Sequence, residues 1–292
     1  MIHQSSQFKE LNIPNGDIEQ YRVKVDRPMP IFVYRLPYRD GYVFAKMFKD
    51  GINVGYKTRL KQLFRKLTLA PHTSYVWSAS QKKQIEEDYL SLWYRYNYPA
   101  PKLLSLHIPG HSPDTTVIME YVNGFPLVDI LRNSKLTMKE RLAMVASILR
   151  HMDERHNTAL AQNEAKLIHP DANPGNILVD GKSFTYIDFV RTAQYKAPVP
   201  VLAAHELRKF IKGVVESIGR DKFDDVIQLV LSTYGNSTVT KFLMKPASSN
   251  FSSLFRGFRY RLRHTKNPAK LDRFSIAERL QKAYSENINP PH

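Results

Sequence analysis

His169-Pro-Asp-Ala-Asn-Pro-Gly-Asn176, followed by Ile-Leu-Val-Asp-Gly181 and then Tyr186-Ile-Asp-Phe189, is the stretch on which the fold turns. Asp171 and Asn176 place acceptor oxygens on a Pro/Gly loop. Ile177-Leu-Val179 and Phe184-Thr-Tyr-Ile187 read as short apolar strands, and Asp180-Gly181 between them is a hairpin signal. A hairpin returns the chain toward its start, which predicts that Asp188 comes back near Asn176. Carboxylate and amide oxygens gathered in this way suit Mg²⁺, which takes few protein ligands and shares its sphere with phosphates. Asp171, ahead of that pair, is placed to accept a proton from an attacking hydroxyl.

Upstream, the chain reads as strands. Tyr21-Arg-Val-Lys-Val25 alternates, Ile31-Phe-Val-Tyr-Arg-Leu36 is β-rich, and Arg39-Asp-Gly41 supplies a turn before Tyr42-Val-Phe-Ala-Lys-Met-Phe48. An antiparallel meander is expected. Residues 56–69 carry apolar positions at helical spacing opposite a basic face, and a second helix is expected over 81–96, closed by Pro99 and Pro101. Thr115-Thr-Val-Ile-Met-Glu-Tyr-Val122 is another apolar strand, with a break at Asn123-Gly124.

Downstream the pattern turns helical. Thr137-Met-Lys-Glu140 has the form of a capping box, opening a helix to about His156 with Leu142, Val145, Ile148, Leu149 and Met152 on one side. From about Ala203 the remainder reads as helices and loops. The fold class expected is α+β: a strand-rich lobe over 1–122, ending in a hinge, and a mainly helical lobe over 123–292.

The order His-x-Asp-x-x-x-x-Asn, hairpin, Asp-Phe resembles the catalytic and metal-binding loops of the protein-kinase superfamily. With Pro-Gly-Asn-Ile-Leu and Ile-Asp-Phe it is most similar in style to lipopolysaccharide-core sugar kinases and aminoglycoside- and choline-type phosphotransferases. The resemblance implies a bilobal protein-kinase-like fold with an antiparallel β-sheet N-lobe and a helical C-lobe, using ATP and Mg²⁺. It makes Asp171 the catalytic base, Asn176 and Asp188 the metal ligands, and His169 a brace for the loop. Val43-Phe-Ala-Lys46 resembles the strand whose lysine holds nucleotide phosphates. A lysine inside an apolar strand is costly without a partner, which singles out Lys46 over Lys49. The resemblance implies a partner on the next helix, as Glu86 in preference to Glu87 or Asp88. By the same resemblance Met119, Glu120 and Val122 would fall at the hinge, where the Glu120 carbonyl and Val122 amide would bond adenine with Met119 behind it.

The chain departs from that pattern in two places. No glycine occurs between Gly16 and Gly41, and the turn expected to cover phosphates reads Asp26-Arg-Pro-Met-Pro30. Proline removes an amide donor there, leaving Lys46, metal and Arg27 to hold the triphosphate. Asp188 is followed by Phe189-Val190, and no Ala-Pro-Glu follows, so a small-molecule or glycan kinase is favoured over a regulated protein kinase.

The formal charge of +16 on 292 residues favours polyanionic partners. There are no cysteines, which excludes disulfides and Cys-ligated zinc. No apolar run approaches the roughly 20 residues of a bilayer span, and Met1-Ile-His-Gln-Ser-Ser-Gln lacks a secretory layout. A cytoplasmic protein, peripheral at the inner face of the membrane, is expected. Two segments would select the partner: the basic face of 56–69, and 251–270, where aromatics interleave with Arg256, Arg259, Arg261, Arg263, Lys266 and Lys270. Such faces lie on anionic membranes or bind RNA by phosphate contact and stacking. The acceptor expected is a sugar hydroxyl of a lipid-linked or lipopolysaccharide-core saccharide. An atypical, RIO-like serine/threonine protein kinase acting at RNA, an aminoglycoside- or choline-type kinase, and a catalytically inactive kinase-fold binding module stay open as alternatives.

Overall fold

The computed structural model describes residues 9–23, 31–50, 72–75, 78–133, 135–190, 193–248, 271 and 273–288. The basic segment 56–69, the turn at 26–30 with Arg27, and the basic aromatic stretch 251–270 lie outside them. The fold class is α+β. Two compact units form: Met1–Gly124 with Leu178–Lys196, and Phe125–Ile177 with Ala197–His292.

In the first unit, a parallel pair joins β1 (Lys9–Glu10) to β5 (Leu106–His107). The main sheet is antiparallel, in the order β2 (Ile31–Tyr38), β3 (Gly41–Phe48), β6 (Thr116–Glu120). Arg39, in the left-handed region at φ 50°, turns the β2–β3 hairpin. Of the strand expected over 21–25, residues 24 and 25 lie outside the described residues; Glu19–Tyr21 is a 3₁₀ turn, Arg22 bridges to Tyr34, and the Val23 amide bonds the Val33 carbonyl at 2.8 Å. Period-two alternation sorts β3 by face. Val43, Ala45 and Met47 join Tyr34, Leu36, Leu106, Ile108 and Ile118 in one apolar core. Lys46 therefore projects from the opposite face.

β4 (His72–Tyr75) pairs antiparallel with β9 (Ala193–Lys196), and β7 (Ile177–Asp180) with β8 (Ser183–Tyr186) forms the hairpin expected from Asp180-Gly181. Helix α1 (Ala79–Arg95) starts two positions before the expected 81 because Ser78 and Gln81 form a complete capping box. Asp50 Oδ1 accepts the Ala79 amide at 2.8 Å, adding a carboxylate at the positive end of the helix. The buried face of α1 is Ala79, Lys82, Glu86, Leu90 and Trp93. Charges on a buried face need partners. Lys82 donates to the Lys49 carbonyl at 2.5 Å, and burial pulls its pKa down.

In the second unit, α2 (Leu127–Arg132) precedes α3 (Met138–Gln162), which Thr137 and Glu140 open with the expected capping box. The helix runs past His156 to Gln162, where Asn163 caps it in the left-handed region and a 3₁₀ turn over Ala165–Leu167 follows. Asn is among the few residues that adopt this backbone readily. Helices α4 (Val199–Ile218), α5 (Phe223–Thr233), α6 (Ser237–Ser248) and α7 (Arg273–Ile288) complete the unit. Its core gathers Val145, Leu149 and Met152 of α3 with Leu207, Phe210 and Val214 of α4. Each such side chain contributes roughly 1.5–3 kcal/mol on burial. Among the described residues, no helix is long and apolar enough to cross a membrane.

Candidate functional site

Lys46 leaves the coreless face of β3 and meets α1. Its Nζ lies 2.8 Å from Glu86 Oε1 and 3.4 Å from Asp188 Oδ1, joining positions far apart in the chain. The side chains of Lys46 and Glu86 are 13% and 1% exposed, so water screens this pair little; Asp188 at 31% is the more open partner. Burial alone would lower the Lys46 pKa, but Glu86 and Asp188 together outweigh it and push it up. Burial, then the Asp188 charge, pushes Glu86 up against the pull of Lys46. Glu87, the alternative acid, pairs instead with Lys83 at 2.7 Å. Lys49 sits 4.0 Å above the Phe32 ring.

Asp188 adopts φ 64°. A non-glycine residue in this region carries strain, tolerated best by Asn and Asp, and it persists only where its surroundings over-determine it. Trp93 supplies those surroundings. It is fully buried on α1 beyond Glu86 and meets Phe189 edge-on at 4.7 Å and Tyr186 at 5.3 Å between ring centroids. Tyr89 adds a second ring against Phe189 at 5.7 Å, and the Tyr186 amide bonds the Pro99 carbonyl at 2.9 Å. Residues on both sides of Asp188 are thus anchored, and the carboxylate is aimed at Lys46. Met119 is buried opposite Phe44 in the β3–β6 register, Glu120 is exposed at the strand end, and Val122 follows in irregular backbone.

The second unit holds His169, Asp171 and Asn176. His169 Nδ1 accepts the Asp171 amide at 3.0 Å, which leaves the proton of a neutral ring on Nε2. Asn176 Nδ2 donates to the Asp171 carbonyl at 2.9 Å, so its amide oxygen is the end able to take a cation. Asn173 accepts from Gly175 N at 2.8 Å in an Asx turn that sets the loop. His169 therefore works on the loop backbone, and Asp171 is nearly buried at 8% exposure.

Beneath the loop lies a buried ionic cluster that sequence reasoning missed. Glu206 on α4 bonds the Arg155 guanidinium through both oxygens, His156 Nε2 at 3.0 Å and the His169 amide at 2.8 Å. Arg155 also donates to the Leu167 carbonyl, and His156 Nδ1 pairs with the Tyr234 hydroxyl at 2.6 Å. Burial would raise the Glu206 pKa, but Arg155 and His156 hold it far below the usual carboxylate range. Burial lowers the His156 pKa. Lys209, one turn along α4, reaches Pro170 and Asp171. The available signal was charge inside an apolar stripe: Arg155 and His156 between Met152 and Ala159, and Glu206 between Ala203 and Phe210.

No protein-family model matches the chain, and no curated protein does. Among the described residues no group of three or more His, Asp or Glu side chains converges as a self-sufficient metal cage. Asp188 in the first unit and Asn176 in the second each carry a side-chain oxygen, the donor type that Mg²⁺ takes.

Proposed function

We propose that this chain is an ATP-dependent phosphotransferase of the protein-kinase-like type, with a bilobal arrangement and a hydroxyl acceptor. The observation that carries the reading is the Lys46 ammonium held between Glu86 and Asp188, with a strained, aromatic-anchored backbone under Asp188. An amine fixed by two carboxylates is preorganised to meet phosphate oxygens without reorganising at the moment of reaction.

By this reading Asp171 orients the acceptor hydroxyl and takes its proton, while Lys46 offsets charge on the donor phosphates. Asp188 and Asn176 would hold Mg²⁺, which when bound supplies charge neutralisation at the phosphates. The +16 charge and the basic segments 56–69 and 251–270 favour a polyanionic acceptor. A sugar hydroxyl of a lipid-linked or lipopolysaccharide-core saccharide at an anionic inner-leaflet surface meets that requirement. It also fits the absence of a glycine loop and of Ala-Pro-Glu. The same basic stretches support a second reading, an RIO-like protein kinase acting on RNA-bound substrates.

The test is transfer of labelled γ-phosphate to core saccharide, to a generic protein and to an aminoglycoside, comparing wild type with Asp171→Ala and Asp188→Asn. Label on the saccharide that both substitutions reduce at least 100-fold is expected. Label on protein alone transfers the case to the second reading. Transfer unchanged in both variants refutes the assigned roles.

A further inference from the structure

Helix α4 lies along the loop that carries Asp171 and meets it at three successive turns. Glu206 accepts the His169 amide at 2.8 Å. Lys209 Nζ donates to the Pro170 carbonyl at 2.9 Å and to Asp171 Oδ1 at 3.2 Å. Gly213 packs so closely on Pro174 that a Cβ there would stand 2.2 Å from the proline Cδ. Of these contacts, only that of Lys209 reaches a side chain to which the phosphotransferase reading gives chemistry.

The geometry points to Lys209 as the positioning residue of Asp171, an inference that rests on that reading and deepens it. The side chains of Lys209 and Asp171 are 18% and 11% exposed, so the pair is held in a fixed arrangement rather than fluctuating at the surface. A carboxylate turns about its Cβ–Cγ bond unless an oxygen is pinned. Lys209 pins Oδ1, and because the same ammonium is tied to the Pro170 carbonyl, it cannot follow the carboxylate elsewhere. The direction of Oδ2 is then set by the helix, not by the loop alone.

In the transfer, the acceptor O–H proton passes to the Asp171 carboxylate as the acceptor oxygen bonds to the γ-phosphorus. The bond from that phosphorus to the bridging oxygen breaks, and its electron pair leaves on ADP. Lys209 exchanges no proton in this sequence. Its effect is on the attack geometry, where a displacement of about 1 Å lowers turnover on the order of 100-fold.

The experiment uses the full chain with Mg·ATP and water as acceptor, and core saccharide in parallel, comparing wild type, Lys209→Met and Lys209→Arg. Methionine keeps most of the apolar stem and removes the charge. Arginine keeps the charge on a planar head. The expected result is kcat down about 10- to 100-fold in Lys209→Met with KM for Mg·ATP within about threefold of wild type, and most of the loss recovered by Lys209→Arg. Urea midpoints of all three are taken alongside. Unchanged kcat in Lys209→Met, or arginine no better than methionine, overturns the inference while leaving the phosphotransferase reading standing. A kcat loss that tracks a lowered urea midpoint overturns it too, as a folding effect. A wild type that transfers no phosphate to either acceptor overturns the reading itself and the inference with it.

Discussion

Lys46→Met tests the ion pair as a thermodynamic object, independently of any substrate. The substitution leaves Glu86, 1% exposed, beside Asp188 without its cation. Removing one partner of a buried pair destabilises by roughly 3–5 kcal/mol, whereas an exposed pair is worth about 1 kcal/mol or less. Lys46 retains 13% exposure, and Glu86, already pushed up by burial, can take a proton, so the lower end applies. A loss of about 3 kcal/mol is expected, or a fall in Tm of roughly 6–12 °C at about 2–4 °C per kcal/mol. Urea unfolding at pH 7.5, followed by Trp93 fluorescence in a Trp77→Phe background, reports on the unit that contains the pair. The sign of the pH dependence follows from linkage. An acid whose folded pKa is raised binds a proton the unfolded chain does not, so stability rises as pH falls toward its ordinary value of 4.5. The deficit of Lys46→Met should therefore shrink between pH 8 and pH 5. Combining it with Glu86→Gln removes the stranded charge and should restore at least half of the loss. A deficit below about 1 kcal/mol, or a double variant as damaged as the sum of the singles, refutes the reasoning.

Glu206→Gln strands the fully buried Arg155 and should cost about 3–5 kcal/mol by urea unfolding at pH 7. The folded pKa of Glu206 is depressed, so its contribution is present above the ordinary value of 4.5 and lost as pH falls below it. The stability of the variant should accordingly fall less steeply than that of wild type between pH 5 and pH 3; parallel curves would show that Glu206 is not the titrating group. Gly213→Ala would gain about 1 kcal/mol from helix propensity alone. The 2.2 Å approach to Pro174 predicts the reverse, a net loss of roughly 1–2 kcal/mol, and a raised urea midpoint would contradict the packing.

Local signals carried far in this chain. The capping box at Thr137, the turn at Arg39, the hairpin at Asp180-Gly181 and the central strand with Lys46 were all legible because each depends on residues a few positions apart. Glu86 was legible for a different reason: a lysine inside an apolar strand needs a partner, and the resemblance to kinases, through the spacing to Leu90, favours Glu86 over its neighbours Glu87 and Asp88. Tyr21 reads as strand in the sequence because alternation over a short run does not distinguish an edge from a 3₁₀ turn that leads into the sheet through Arg22 and Val23. The end of α3 was placed too early because His156 looks like a polar terminus. It is buried there, with Tyr234 and Glu206 as partners.

The sequence by itself determined which candidate groups stand out: an amine in a strand, a carboxylate and an amide on a Pro/Gly loop, and a second carboxylate after a hairpin. Periodicity and turn residues encode these locally. Tertiary structure alone decided what holds them. Phe189 against Trp93 anchors the strained Asp188, Glu206 joins Arg155 to the His169 amide, and Lys209 reaches Asp171. These partners are separated by tens of residues and meet only when helices pack, so no spacing rule in the chain announces them.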